Sequence, residues 1–220
     1  MKRLKDKLIE FAEKDHSSVE KLTEAFAELA PYFLSGGCIK VREDYRVYPT
    51  TVEFYFHAEI GVISDPIVYH RNNKYVDGDI PYFPIMTLHA HDSGYDITFE
   101  NPDKQYRASV LIRAYQVWDI KQGCWLKWGT KEQQFRKYVN TDKTPINTQV
   151  LYLKYLLNGF PMNGECLINW VDAKELLVFK TEDGRPRKGV DKYNEYGVRL
   201  KGVPDNRPWS FSRKEYIQIS

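Results

Sequence analysis

Five strand-length runs follow one another between Cys38 and Trp118, and the joints between the last three are too short to hold a crossover helix. Parallel neighbours need a connection of a dozen or more residues, so this spacing points to an antiparallel sheet. The runs are Cys38–Arg42, Arg46–Phe56, Ile85–His91, Tyr95–Glu100 and Arg107–Trp118. Asp92-Ser93-Gly94 joins the third to the fourth, and a turn containing Asn101-Pro102-Asp103 joins the fourth to the fifth. Aromatic residues make up 15% of the chain, with 16 Tyr and 5 Trp, which suits a β-rich core.

Helical signals flank these runs. Leu4, Leu8, Phe11 and Ala12 recur at helical spacing and predict a first amphipathic helix. Ser17-Ser18-Val19-Glu20 reads as a capping box for a second, with Leu22, Phe26 and Leu29 on its apolar stripe and Pro31 ending it after Ala30. Gly36-Gly37 is a hinge into the sheet. After Trp118 the chain is basic and aromatic, from Lys121 and Trp125 to Tyr138, with a helix expected over Thr130–Tyr138. Asn147 is an N-cap for a helix through Leu157 that Asn158-Gly159 closes. Asp172–Phe179 reads as a short helix, Gly184–Gly189 as an exposed turn, and Val198–Lys201 with Trp209–Phe211 as a closing hairpin.

The expected fold class is therefore α+β, a single mixed domain with a central antiparallel sheet flanked by helices. Residues 1–35 supply N-terminal helices, 36–118 the sheet core, and 119–220 basic helices and the closing hairpin. At 220 residues one core of proper size is expected, in a monomer. Cys38, Cys124 and Cys166 are far apart with no CxxC spacing, which argues for a reducing compartment and against a disulfide framework or zinc knuckle. MKRLKDKLIEFAEKD has no uninterrupted apolar segment and does not read as a signal peptide, and no stretch reaches membrane-spanning length, so a cytoplasmic protein with no membrane partner is expected. Net charge is only +2, but ten Lys and Arg against six Asp and Glu from Lys180 onward leave the C-terminal part basic, as a polyanion-binding face would be.

The chemistry concentrates in Thr51–His70, TVEFYFHAEIGVISDPIVYH. Strand alternation through Val52-Glu53-Phe54-Tyr55-Phe56 puts Glu53 and Tyr55 on one face and Phe54 on the other. A carboxylate among aromatics must be paired, protonated or working. Asp65-Pro66 and His70 bring further polar groups, and the loop from Tyr69 to Pro84 has the length of a pocket wall. Arg113, inside the apolar run Val110-Leu111-Ile112-Arg113-Ala114, needs a carboxylate partner, for which Glu53 and Asp65 both qualify. His89 and His91 share a strand face, an arrangement that also suits metal binding. Arg185, Arg187 and Lys188 form a basic turn able to meet phosphate, and the Trp125–Tyr138 stretch is able to stack on single-stranded nucleic acid.

Four pieces, in order, carry a family resemblance. They are Glu53-Phe54-Tyr55; Asp65-Pro66 with Tyr69-His70-Arg71-Asn72; Thr87-Leu88-His89-Ala90-His91 shortly before Gly94; and Val110 to Ala114. Together the segment Val52–Ala114 resembles the alkyladenine (3-methyladenine) DNA glycosylase family, whose motifs there are Glu-Ala-Tyr, Asp-Pro-x-x-His followed by Arg-Asn, Thr-Leu-Tyr-Val-Tyr, and Leu-Leu-Arg-Ala. The resemblance implies hydrolysis of the bond between a damaged purine and its sugar, with no metal and no organic cofactor. It implies Glu53 as the base that activates water, Arg113 as the group orienting water or phosphate, and Tyr55, His70 and His91, with His89 beside them, as base-contacting residues. In the family an aromatic side chain on the hairpin wedges into the duplex. The tip here is Asp92-Ser93-Gly94, one residue shorter, so the implied partner is DNA that is single-stranded or damaged, or a modified nucleotide. Two alternatives stand beside this reading: a non-catalytic nucleic-acid- or nucleotide-binding relative, and a metal-dependent hydrolase using His89 and His91.

Overall fold

The computed structural model describes residues 3–60, 63, 65, 82–91, 94–125, 165–174, 183–187, 189–194 and 198–213, with backbone alone for 90, 91, 94 and 165–167. The helices expected over 130–138 and 147–157, and the hairpin tip at Asp92-Ser93, lie outside these residues.

Two helices precede the sheet. Helix α1, Leu4–Phe11, turns Leu4, Leu8 and Phe11 inward, as its spacing predicts. Helix α2 spans Val19–Ser35, and the Ser18 hydroxyl accepts the Lys21 N–H at 3.3 Å as its N-cap. The expectation that Pro31 ends this helix is corrected, because α2 runs one turn beyond it. Proline in a helix interior costs about 3 kcal/mol. The extra turn buries Phe33 at 0% and Leu34 at 1% exposure, and a fully buried side chain of this kind returns about 1.5–3 kcal/mol each.

The strands then run β1 (Gly37–Val41), β2 (Tyr45–Ala58), β3 (Thr87–His91), β4 (Gly94–Thr98), β5 (Tyr106–Asp119), β6 (Cys124–Trp125), β7 (Glu165–Leu167) and β8 (Trp170–Asp172). Their order in the main sheet is β7-β3-β4-β5-β2-β1-β8, every pairing among them being antiparallel. Strand β11, Ser210–Ser212, pairs with β2, and β6 pairs with β5. Strands β9 (Asp191–Tyr193) and β10 (Arg199–Pro204) form a separate pair. The closing hairpin is thereby corrected: the Val198–Lys201 run enters β10, which pairs back on β9, while Trp209–Phe211 returns to the main sheet. Asp172 is likewise in a strand rather than a helix, and its carboxylate accepts the Leu4 N–H of α1 at 3.0 Å. Gly37 permits β1 to meet β8, since a Cβ there would stand 2.3 Å from the Val171 carbonyl oxygen.

Both helices pack on one face of the sheet, against Val52, Phe54, Phe56, Val110 and Ile112. Phe26 stacks on Phe54 at 4.5 Å between ring centroids, and Phe11 meets Phe56 edge-on at 6.4 Å. Trp209, fully buried, closes this core and donates its indole N–H to Thr23 Oγ1 at 2.9 Å. Register shifts on β2 around Thr51 let Val47 and Val52, five residues apart, both face the helices. The described residues thus form a mostly antiparallel mixed domain with two helices, neither long and apolar enough to cross a membrane.

Candidate functional site

The alternation that sends Val52, Phe54 and Phe56 to the helices sends Glu53 and Tyr55 to the opposite face. Strand register assembles a row there. His89 on β3 pairs with Asp96 on β4, Asp96 with Leu111 on β5, Leu111 with Glu53 on β2, and Glu53 with Ser210 on β11. Strands lie about 4.8 Å apart, so the backbones carrying Glu53 and Asp96 are about 9.6 Å apart, with Leu111 between them.

Glu53 is buried at 1% exposure. The Tyr55 hydroxyl donates to its Oε2 at 3.2 Å, and Arg113 Nε stands 3.0 Å from the same oxygen. The partner required by Arg113 is therefore Glu53, with Asp65 engaged elsewhere. Burial, with the Glu53 charge acting in the same direction, raises the Tyr55 phenol far above its ordinary pKa, so it remains a hydroxyl donor. Asp96, 3% exposed, accepts the Ser109 hydroxyl at 3.2 Å. His89, also buried, stacks on Phe83 with centroids 5.1 Å apart. Phe83 joins Tyr55, Leu111 and Val190 in a small second core on this face.

Arg107 on β5 fastens the segment that precedes β3. Its Nε donates to Glu59 at 2.8 Å and its guanidinium covers the Tyr82 ring at 4.2 Å. Tyr82 in turn donates to Glu59 at 2.7 Å, and the Phe83 N–H donates to Glu100 at 2.5 Å. One buried arginine thus holds residues 59 and 82 together and seats Phe83 against His89.

A further arginine lies behind Tyr55, and it corrects the reading of the basic turn. Arg187 is buried at 3% exposure rather than set out toward phosphate. Its Nη1 donates to Asp65 Oδ2 at 2.6 Å and to the Phe54 carbonyl at 3.2 Å, and its Nη2 bonds Asp205. The guanidinium also covers the Tyr55 ring at 4.5 Å and lies 5.1 Å from the Trp209 ring. A charge this deep persists only with such partners. Although burial alone would depress the Arg187 pKa, the charges of Asp65 and Asp205, with Tyr55 and the hydrogen bond to Asp65, together more than reverse that. Arg207 adds bonds to Asp205 at 2.7–3.0 Å and stands over Trp209 at 4.2 Å. Burial works to raise the Asp205 pKa, but Arg207 and Arg187 outweigh it and hold the carboxyl at about 2. Arg185 is exposed, and its backbone bridges Ser210.

The structure therefore brings Glu53, Tyr55 and Arg113 together and puts His89 in the same row. His70, Lys188 and the side chain of His91 lie outside the described residues. Sequence reasoning missed Asp96, Ser109 and the Arg187 network. Asp96 had a legible signal: Tyr95, Ile97 and Phe99 alternate with Asp96, Thr98 and Glu100, which marks the latter as facing away from the helices. Among the described residues no three His, Cys, Asp or Glu side chains gather as a metal site. No protein-family model matches the chain, and neither does any curated protein.

Proposed function

We propose that this chain is an N-glycosidic hydrolase that removes alkylated or otherwise damaged purines from DNA, as a divergent relative of the alkyladenine glycosylases it resembles. The observation that carries the reading is the convergence of Arg113 and Tyr55 on the buried Glu53 carboxylate. A carboxylate fixed in this way accepts a proton from water as water attacks the anomeric carbon of the sugar. The carbon–nitrogen bond breaks, its electron pair leaves with the base, and the carboxylate's charge stabilises the sugar cation that develops. Arg113 keeps the carboxylate in one rotamer, and its planar donors suit a phosphate or the attacking water. Tyr55, His89 and Phe83 are the rings nearest the row; Phe83 is stacked on His89 and Tyr55 lies under Arg187, so an unstacked base reaches them only by displacing these contacts.

The test is release of free base from alkylated or deaminated oligonucleotides, single-stranded and duplex, by wild type and Glu53→Gln. The reading expects release by wild type and its loss in the variant. Absence of release above blank on both substrates ends it.

One feature favours a second reading, in which the fold binds nucleic acid without turnover. Glu53 Oε2 already holds two partners, as a purely structural carboxylate would. Salt-dependent oligonucleotide binding without base release selects this alternative.

A further inference from the structure

Toward the Tyr45 end of β2 the sheet face that carries Glu53 changes from carboxylates to cations and rings. Beyond Arg113, Tyr48 pairs with Gln116, and the next row runs Lys40, Arg46, Trp118 and Trp125 across β1, β2, β5 and β6. Trp125 meets Trp118 edge-on at 5.2 Å and Tyr48 at 5.4 Å, so the three rings form one cluster. Arg213 reaches in from the end of β11, donating to Gln116 at 3.3 Å. Arg46, Tyr48, Arg113, Gln116, Trp118 and Trp125 all keep part of their surface in solvent, whereas Tyr55, Leu111 and Phe83 on the same face do not. Lys40, Arg46, Arg113 and Arg213 lie on this face, with Lys40 paired to Glu43 at 2.5 Å and Arg113 to Glu53 at 3.0 Å, which leaves the local charge positive.

We infer that this surface is a platform for single-stranded nucleic acid, which lays bases on Tyr48, Trp118 and Trp125 and phosphates on Arg46 and its basic neighbours. Rings packed edge to face and partly in solvent match unstacked bases, because every base has a stacking face and a duplex keeps those faces inside. Arginines interleaved with the rings supply the phosphate contacts that stacking alone lacks. From Tyr48 to Glu53 is about 16 Å of strand, so a strand lying on the platform continues directly over Arg113 to the Glu53 row. The choice of partner rests on the base-excision reading, while the binding itself requires no turnover.

The test is fluorescence anisotropy of a labelled single-stranded oligothymidylate with the full chain, titrated across salt. Affinity is expected to fall as salt rises. Trp118→Leu and Tyr48→Ala should each weaken binding by about 5- to 150-fold, the range for losing one stacked base. Arg46→Gln, a surface change that leaves the rings in place, should lower the salt slope by about 0.7 for the lost phosphate contact. Circular dichroism checks that each variant folds. If base release fails while these binding effects hold, the excision reading falls and the platform stands. Base release with ring and Arg46 variants binding like wild type overturns the platform alone. Salt-independent binding, preference for duplex, or equal displacement by polyglutamate also overturns it.

Discussion

Arg113 Nε lies 3.0 Å from Glu53 Oε2, and the pair is lopsided: the carboxylate side chain is 2% exposed while the arginine side chain is 27% exposed. The strand that brings the acid also brings the tyrosine that donates to the same oxygen, so the site's geometry is set by one alternation and one register. Removing either member of such a pair has unequal consequences, because only one of them is left stranded away from water.

Arg113→Met leaves a buried carboxylate without its cation, whereas Glu53→Gln leaves a cation that can turn toward solvent. The first should cost about 2–3 kcal/mol of stability and the second about 1 kcal/mol, with the partial exposure of Arg113 keeping both below a fully buried pair. Urea denaturation of the two variants measures this. A larger loss for Glu53→Gln would mean the carboxylate, not the arginine, is the group with access to water.

Tyr55→Phe keeps the ring beneath Arg187 but removes the donor to Glu53. Stability should fall by about 1 kcal/mol, the net worth of one hydrogen bond. Tyr55→Ala, which also empties the space under the guanidinium, should cost about 3–5 kcal/mol. Near-equal effects in thermal or urea unfolding would show that the hydroxyl, rather than the ring, carries the contribution of this residue.

Arg187→Met leaves the buried Asp65 and Asp205 to Arg207, 3.4 and 2.7 Å away, and should cost about 3 kcal/mol. Arg187→Lys should not restore it, since an ammonium lacks the fork that reaches two carboxylates and covers two rings. Adding Asp65→Asn to Arg187→Met should recover part of the loss. Asp205 gives the acid side of the same network: its folded pKa of about 2 lies below the unfolded carboxyl value. Its contribution is complete above about pH 4 and disappears as pH falls toward 2. Lysine recovering full stability would contradict the two-carboxylate account.

How far the sequence reached depended on the distance over which each signal acts. Alternation is local, so Glu53 and Tyr55 on one face and Phe54 on the other follow from Val52–Phe56 alone. Arg113 inside an apolar strand announced its need for an acid, and Glu53 answered it. Arg187 gave the opposite impression because Gly184, Pro186, Lys188 and Gly189 surround it with turn residues, while its partners Asp65 and Asp205 are 122 and 18 positions away. Pro31 misled for a similar reason: the gain from Phe33 and Leu34 comes from the sheet they meet, which no window around the proline contains. The pairing of β11 with β2 rather than β10 was equally invisible, since two short runs in succession look the same whether they pair with each other or with distant strands. The row that includes Asp96 required register across three strands, a long-range quantity.

A last prediction concerns His16, between the two helices, whose ring stacks on Phe11 at 4.3 Å and meets Phe56 and Tyr106 edge-on, each at 5.2 Å. Its Nε2 is buried with no hydrogen-bond partner among the described residues. Burial pushes the imidazole pKa below its ordinary value, Lys104 pushes the same way, and the Phe11 carbonyl and Asp15 oppose them. The unfolded chain therefore binds the proton more readily than the folded one. The stabilisation from a neutral His16 is complete above about pH 6.5 and is lost as pH falls through the depressed folded value. Replacement by an apolar ring, His16→Phe, removes the titration while keeping the stack. Unfolding free energies of wild type and variant, measured by urea between pH 8 and pH 5, should diverge in favour of the variant on acidification. Parallel curves through that window would show that the imidazole reaches a proton as easily in the folded protein as in the unfolded one, and that the aromatic pocket around it admits water.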